Sequence, residues 1–219
     1  MSNKILFLAF LLAALNTSCK KEPVEEKTYP TDGLVSYFNF DDNLTDQLGV
    51  TPDGVNHGSA VFVEGKAGKA ISLTGGGQYI EFNRKTFRSG NNISVSAWFK
   101  RTGSMGSYFV ICNDFGLFTH ADGYAGLAIS VPNTSNAHGN FTANEWVHLA
   151  GTYDGTTIKT YINGELAGTL NWPGNISGWD EFLKVGNFYG EYWSGCVDDL
   201  FIYNKVLSQS EVDQLYHYH

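Results

Sequence analysis

The residues of this sequence that could do chemistry are first of all its carboxylates. A retaining glycoside hydrolase needs two carboxyl groups about 5–5.5 Å apart, and residues of one strand share a face only at even spacing. Asp198 and Asp199 are adjacent, so a regular strand would point them to opposite faces, while Glu81, Glu145 and Glu165 each stand alone. The sequence also has no G-x-S-x-G nucleophile elbow and no H-E-x-x-H zinc motif. These patterns predict a protein that is not an enzyme.

The six histidines do not form a metal motif either. Only the terminal pair His217 and His219 stands close together, and chain ends commonly fray. His148 lies in a strand-like run beside aromatic residues, where we predict a structural histidine with satisfied hydrogen bonds. The isolated histidines are His57, His120 and His138. A zinc-type site is therefore not predicted.

The segment from Asn171 to Ser194 combines many aromatic rings with glycines. Rings on a glycine-rich loop can stack on the apolar faces of sugars, while neighbouring Asn and Asp side chains bond to hydroxyl groups. The alternative is burial in the core, which is the commoner place for large rings in a β-sandwich. The candidate ligand contacts from this segment are Tyr189, Tyr192, Asn187 and Trp179.

The elements that must position these residues are best defined between residues 144 and 168. Asp154-Gly155 separates two runs rich in Tyr, Thr, Ile and Val, and this pair suits a two-residue type I′ turn. Such a turn predicts that Tyr153 faces Thr156 and that one face of the hairpin is apolar. The other face then carries Trp146, His148, Thr152, Lys159 and Tyr161. We predict a half-buried antiparallel ribbon.

A second turn pair, Asn163-Gly164, follows this ribbon. A strict two-residue turn there would set the charged Glu165 opposite Ile162, which faces the core in the predicted register. The sequence therefore predicts a longer loop or a β-bulge at this point.

The rest of the chain repeats short alternating runs at spacings of 8–12 residues, separated by glycine-rich turns. One helix is predicted, from Gln209 to Tyr216, because Ser208 and Glu211 have the spacing of a capping box. Many short strands with almost no helix indicate an all-β fold. We predict an antiparallel β-sandwich with one short C-terminal helix.

Several motifs resemble one known family. They are W-x-H-x-A-x-x-Y-D-G at residues 146–155, I-S-V-S-A-W-F at residues 93–99 and W-S-G-C-V-D-D-L-F-I-Y-N at residues 193–204. In this order they resemble the laminin-G-like, concanavalin A-like jelly-roll family, and the resemblance extends from Leu34 to Tyr216. It implies the jelly-roll fold and a structural role for Trp193. It does not select a function, because lectins, glycan-binding modules, adhesion domains and glycanases share this fold.

The resemblance also implies a calcium ion between the end of the first strand and the start of the last. The matching positions are Asp41 and Asp198, and calcium takes carboxylate and carbonyl oxygens as ligands. The alternative is that Asp41 caps a turn and Asp198 accepts backbone N–H groups.

The N-terminus predicts export. Lys4 is followed by the apolar stretch from Ile5 to Leu15 and by Ser18-Cys19, which resembles a bacterial lipoprotein signal segment with Cys19 as the lipidated residue. An ordinary secretory signal is the alternative. We expect a signal segment over residues 1–19, a charged tether over residues 20–30 and one domain over residues 31–219. The whole is expected to be an outer membrane lipoprotein, and the sequence leaves open whether its anchor places it at the cell surface.

Charge and cysteine content bound the partners. The formal net charge of −8, without clustered Lys and Arg, argues against a nucleic-acid partner. Cys112 and Cys196 could pair in an exported domain, or could be buried free thiols.

The predicted function is therefore that of a non-catalytic surface module that binds a glycan. The alternatives are a protein-interaction or structural module of a surface assembly, and third a glycan-active enzyme. Exposed rings beside Asn and Asp would favour the first, a flat apolar patch the second, and paired carboxylates in a cleft the third.

Overall fold

The protein is a sandwich of two antiparallel sheets. The computed structural model describes residues 28–104, 107–131, 133–178 and 181–218. The predicted lipidation site Cys19 and the candidate contact Trp179 lie outside these residues. The strands are β1 Leu34–Phe38, β2 Val55–His57, β3 Val61–Glu64, β4 Lys69–Thr74, β5 Tyr79–Phe82, β6 Ile93–Arg101, β7 Tyr108–Ile111, β8 Phe115–Thr119, β9 Tyr124–Val131, β10 Asn133–Asn140, β11 Val147–Tyr153, β12 Thr157–Ile162, β13 Glu165–Asn171, β14 Leu183–Val185, β15 Asn187–Phe188, β16 Glu191–Tyr192 and β17 Ser194–Tyr203.

The first sheet has the strand order β13-β12-β11-β6-β17-β4-β3, and β1 also pairs with β17. The second sheet has the order β10-β9-β8-β7-β14-β5-β2, and β15 with β16 forms a separate small hairpin. Apolar side chains from the inner faces of both sheets fill the space between them, as in other sandwiches. The predicted all-β sandwich is confirmed.

The hairpin of β11 and β12 keeps the predicted faces but not the predicted register. Tyr153 pairs with Ile158 rather than Thr156, so the connecting loop spans the four residues 154–157. The carboxylate of Asp154 causes this, because its Oδ1 accepts the backbone N–H groups of Thr156 at 2.8 Å and Thr157 at 2.7 Å. The shift is two residues, and an even shift leaves every side chain on its original face.

The turn between β12 and β13 also differs from the prediction. Ile162 pairs directly with Glu165, and Asn163 and Gly164 have φ values of 50° and 84°, so the turn has two residues after all. The register then shifts, because Tyr161 pairs with Leu166 while Thr160 pairs with Gly168. The bulge that the sequence requires lies one pair beyond the turn, and Glu165 is tolerated because it is exposed at the edge.

The single helix of the described residues, α1 Gln209–Tyr216, begins where the capping box predicts. Ser208 accepts from the N–H of Glu211, and the Glu211 carboxylate accepts from the N–H of Ser208 at 2.8 Å. Its residues Val212 and Leu215 are buried in a second apolar cluster, outside the first sheet. The helix therefore covers the outer face of that sheet.

This cover corrects the prediction of a half-buried ribbon. Every residue of β11 is buried, including His148 and Thr152 on the supposed solvent face. His148 Nε2 lies 2.7 Å from Ser96 Oγ, and its ring lies 5.8 Å from that of Tyr216. The predicted structural role of His148 fits this burial.

The outer face of the second sheet is more open at β5, at β14 and at the edge strand β10, although Ile111, Phe118 and Ala128 in its middle are buried. Its strands point partly exposed side chains outward, because Tyr79 and Glu81 of β5 alternate with the buried Ile80 and Phe82. Lys184 of β14 faces outward in the same way. The two faces of the sandwich are therefore unequal, and the second sheet presents the more open one.

Cys112 and Cys196 are both buried and both free, so the disulfide alternative is wrong for this structure. Cys112 belongs to the core between the sheets, and its Sγ lies 3.0 Å from the carbonyl oxygen of Lys85. Among the described residues, no helix has the length and apolar character that crossing a bilayer requires.

Candidate functional site

The segment rich in aromatic residues forms a small hairpin that projects at one end of the sandwich. Asn187 pairs with Tyr192 and Phe188 with Glu191. Tyr189 and Gly190 form the turn between them with φ values of 46° and 86°. A tyrosine in this left-handed region is uncommon, and here it places the ring at the tip of the turn. The Tyr189 residue is 68% exposed, the highest value among the exposed large hydrophobic side chains of the described chain.

A cleft lies beside this hairpin. It consists of two adjoining cavities of about 360 and 230 Å³, which share Arg101, Ser104, His120 and Ala121 in their walls. The hairpin contributes Gly190, Glu191 and Tyr192 to the larger cavity. The cleft thus gathers the end of β6, the turn between β8 and β9, and the hairpin. We call it the end cleft.

Arg101 supplies a buried cation to the end cleft. The residue is 3% exposed, and burial lowers the pKa of its guanidinium, which stays protonated near neutral pH because an arginine pKa starts above 12. Its Nη1 donates to the carbonyl oxygen of Thr119 at 3.2 Å and also to the Thr119 hydroxyl. The same hydroxyl accepts the indole N–H of Trp193 at 2.8 Å. The floor of the cleft is therefore tied to the core.

The end cleft offers several groups that can bind a polar ligand. Its lining offers hydroxyl groups, an imidazole, a guanidinium and the Tyr192 ring, which lies 6.3 Å from the ring of Tyr79. Glu191 is the one carboxylate in the lining of the two cavities. Hydrolysis of a glycosidic bond by the usual route needs two. The arrangement suits a neutral, polar ligand with many hydroxyl groups.

The structure separates the predicted contacts. Tyr189 is exposed, and Tyr192 is half-buried in the wall of the end cleft. Asn187 is 7% exposed, and its amide donates to the carbonyl oxygen of Glu191 at 3.4 Å, so its side chain closes the hairpin instead of facing the cleft. Trp193 is fully buried, 5.3 Å from the ring of Phe109, which fits the structural role that the family resemblance implies.

The predicted calcium ligands both contact one loop, residues 65–69. Asp198 Oδ2 accepts the N–H of Lys66 at 2.8 Å, and Asp41 Oδ1 accepts the N–H of Lys69 at 2.7 Å. Asp198 Oδ1 is buried and has no hydrogen-bond partner among the described residues, so one oxygen remains for a cation. The described part of the chain contains no group of three or more acidic, histidine or cysteine side chains that could bind a metal. A calcium ion would therefore take further ligands from carbonyl groups or water.

Asp198 and Asp199 do not point to opposite faces as expected for a regular strand. The register of β17 against β6 shifts between Asp198 and Phe201, and Asp199 has a φ of 46°. The resulting bulge lets Asp199 Oδ1 accept the hydroxyl proton of Tyr37 at 2.6 Å, on the side where the rings of Tyr37 and Phe201 stack. Burial, with the nearby charge of Asp199, raises the pKa of Asp198 to about 8.

This pair is buried and does not form an open catalytic site. Asp198 is 0% exposed and Asp199 is 3% exposed. A polar cavity of about 460 Å³ reaches Asp199 beside Tyr37 and Asp41, but Asp198 is not in its lining. A glycan could not contact both carboxylates at once.

The cleft residues Arg101, Ser104 and His120 were missed by the sequence analysis. Arg101 and Ser104 are three residues apart and His120 follows Ser104 by 16 residues, and the three residues share no motif. His120 was noted as isolated, and only the β8–β9 turn brings it to the hairpin. Residue type does not mark Arg101 either, because β6 (ISVSAWFKR) also contains Ser94, Ser96 and Lys100.

Comparison with known proteins supports the fold. The family model described as "Concanavalin A-like lectin/glucanases superfamily" matches residues 74–213. A sequence comparison with curated proteins finds no match.

One similar solved structure is domain 4 of an extracellular arabinanase from Geobacillus stearothermophilus, determined in complex with arabinotriose. The TM-score is 0.71 and the sequence identity is 24%, and the match covers 84% of this chain and 98% of that one. The binding domain of Paraclostridial Mosquitocidal Protein 1 has a TM-score of 0.69 and 17% identity, with 84% and 52% covered. The receptor binding domain of a botulinum neurotoxin C/D mosaic serotype has a TM-score of 0.70 and 17% identity, with 84% and 51% covered. The match thus spans about half the length of these two toxin domains.

Proposed function

The chain belongs to the concanavalin A-like lectin/glucanase superfamily, and from that premise we propose that it is a non-catalytic binding module whose end cleft takes a carbohydrate. Its structural neighbours are binding domains, one of them determined in complex with arabinotriose. The fold alone does not select a sugar. The proposal therefore depends on the chemistry of the end cleft.

The observation that carries the proposal is the position of Tyr189 at the tip of the hairpin whose Gly190, Glu191 and Tyr192 line the end cleft, although the Tyr189 ring itself is not part of that lining. A tyrosine side chain normally buries most of its apolar area, yet this one is 68% exposed at a tip that the backbone holds in a strained conformation. Its ring packs on Phe188 with centroids 4.6 Å apart, and Phe188 lies 4.7 Å from Tyr108. An exposed ring that is fixed from behind can stack on a sugar with little loss of entropy.

The remaining lining supplies the polar half of sugar recognition. Ser104, Ser107 and His120 offer donors and acceptors for hydroxyl groups, beside the ring of Tyr192. A protein-interaction module is the second candidate function, for which the exposed aliphatic residues Leu48, Val50 and Val55 are the available surface.

We further propose that the module acts outside the cell, carried by lipidated Cys19 on an outer membrane and separated from it by the tether of residues 20–30. The apolar stretch that ends at Ser18-Cys19 supports this. A tethered module with an exposed cleft could reach glycans at the cell surface.

The test is a glycan array probed with the purified protein, including arabinotriose and longer neutral oligosaccharides. We expect binding that falls at least about tenfold in Tyr189→Ala and in Tyr192→Ala, with the melting temperature of Tyr189→Ala unchanged within a few degrees. Exposed Leu166→Ala, on the edge strand β13, is the matched control and should bind normally. Undiminished binding in the double tyrosine variant would place the site elsewhere, and an empty array would reject the carbohydrate function.

A further inference from the structure

The surface next to the end cleft carries three rings in a row. His120 stacks on Tyr124 with ring centroids 4.6 Å apart and 11° between the planes, and the ring of His138 lies 4.7 Å from Tyr124 on the other side. Tyr124 opens β9 and His138 lies in the edge strand β10. We call His120, Tyr124 and His138, with the flanking Asn136 and Asn140, the ring strip.

All members of the ring strip outside the turn lie on the outer face of the second sheet. Asn140 pairs with Tyr124, His138 pairs with Gly126, and Asn136 pairs with Ala128. Paired residues and every second residue share a face. The three side chains from β10 are exposed, and the His120 side chain is 43% exposed. The rings of His120 and His138 are therefore available to solvent, while Tyr124 is half-buried and one face of its ring is covered by His120.

The ring strip is continuous with the end cleft. His120 lines both cavities of the cleft, and Gly123, which precedes Tyr124, lines the smaller one. A ligand that leaves the cleft past His120 meets Tyr124 next and then His138. Among the described residues, the charged side chain paired with His120 is Asp122, whose Oδ2 lies 3.1 Å from His120 Nδ1 and which is itself mostly exposed.

Aromatic faces flanked by side-chain amides suit a sugar chain better than a protein segment or a charged polymer. Stacking serves the apolar faces of successive sugar rings, and the amide of Asn136, which lies 3.2 Å from His138 Nδ1, and that of Asn140 provide both donors and acceptors. The strip has neither the broad apolar area of a protein interface nor clustered cations.

We propose that the ring strip is an extension of the binding site, so that the protein recognises a neutral oligosaccharide longer than the end cleft can hold, with Tyr124 and His138 contacting the units outside the cleft. This inference rests on the proposed carbohydrate function of the end cleft and names its substrate class.

The experiment measures affinity as a function of chain length. Arabino-, xylo-, manno- and cello-oligosaccharides from two to six units are titrated into the purified protein by calorimetry. We expect at least one series in which affinity keeps rising beyond the length that fills the cleft. Tyr124→Ala and His138→Ala should each remove about three- to tenfold of that gain, the range for the loss of one ring contact. His138→Ala should leave binding of the shortest sugar unaffected; Tyr124→Ala also removes the ring on which His120 stacks, so it is compared with the parent at every length.

The matched control is His57→Ala. His57 also stacks on a tyrosine of the same sheet, Tyr79, with centroids 4.3 Å apart, but lies on the opposite edge strand β2. It should keep the full gain with length.

The outcomes separate the two proposals. Suppose that a short sugar binds and that its binding depends on Tyr189. If affinity then does not rise with oligosaccharide length, or rises as much in the strip variants as in the parent, the end cleft stands and the ring strip is overturned. If none of the four series binds and the glycan array is empty, the carbohydrate function fails and the ring strip with it. Melting temperatures of the variants within a few degrees of the parent exclude loss of fold as the cause.

Discussion

Asp41 and Asp198 hold the same loop from two sides: Asp41 accepts the backbone N–H of Lys69 at 2.7 Å, and Asp198 accepts that of Lys66 at 2.8 Å. Asp41 follows β1 and Asp198 lies in β17, so hydrogen bonds to this loop connect the first and the last strand of the chain. The contact explains why both positions carry a carboxylate even without a metal. It also places a spare oxygen, Asp198 Oδ1, inside the protein.

Calcium binding at Asp41 and Asp198 is the first prediction. Binding to the folded state alone stabilises by about 2.7 kcal/mol at a hundredfold excess over Kd, which corresponds to a rise of about 5–10 °C in melting temperature for a chain of this size. Calorimetry should show this rise in melting temperature when chelator is replaced by millimolar calcium. The Asp41→Asn variant should show no rise. Identical melting curves with chelator and calcium would show that the two carboxylates serve only the loop.

The pH dependence of the calcium-free protein follows from the raised pKa of Asp198, about 8 against an ordinary 3.8. Since the folded state holds this proton more tightly than the unfolded state, the stabilisation is complete below about pH 4 and is lost as the pH rises through about 8. In chelator, the melting temperature should fall between pH 5 and pH 9, and Asp198→Asn should flatten that fall. Exposed Asp53→Asn is the control, and an unchanged slope in Asp198→Asn would contradict the assignment.

Trp193→Ala should destabilise the fold by about 3–5 kcal/mol, because the ring is fully buried and its removal leaves a cavity. It also removes the indole N–H that binds the Thr119 hydroxyl. Chemical denaturation measures the loss, with Tyr189→Ala as a control that should cost little. Trp193→Phe should retain part of the stability. A loss as small as that of Tyr189→Ala would mean that the ring does not support the cleft floor.

The buried thiol of Cys112 should be unreactive in the folded protein. Burial raises its pKa to about 12, so almost no thiolate forms near neutral pH. Alkylation followed by mass spectrometry should modify Cys112 only in denaturant, at a rate that follows unfolding. Rapid modification of the native protein, or a disulfide with Cys196, would contradict this.

Replacing Cys19 with Ser should move the protein from the membrane fraction to the soluble fraction of the cells that produce it. The reason is that the lipid on Cys19 is the proposed anchor. Immunoblots of the two fractions measure the change, with Ser18→Ala as the neighbouring control. Unchanged fractionation would favour an ordinary secretory signal or another means of attachment.

Periodicity and local chemistry determined most of the fold. Alternating runs predicted most of the strands, though not β2 or the edge strand β10, and the capping box of Ser208 and Glu211 predicted a helix from about Gln209 to Tyr216, where the structure has it. The faces of the β11–β12 hairpin were also correct. These features depend on neighbours in the chain, so the sequence contains their physical causes.

The register and the bulges could not be predicted in the same way. The Asp154 carboxylate accepts two backbone N–H groups and so stabilises a four-residue loop. This loop replaces the two-residue turn that Asp-Gly favours. At Asp199, a bulge placed two adjacent carboxylates on one side of the sheet. In both cases a side-chain contact outweighed the regular strand geometry that the sequence analysis assumed.

The sequence by itself thus determined the β-sandwich, the C-terminal helix and the exclusion of the common catalytic motifs, and it identified Tyr189 and Tyr192 as candidates. Only the tertiary structure decided that helix α1 covers the first sheet while the second stays more open, and that Arg101, His120 and Tyr192 meet in one cleft. The physical reason is that cover and clefts arise from contacts between residues far apart in the chain. Such contacts leave no period or spacing in the sequence.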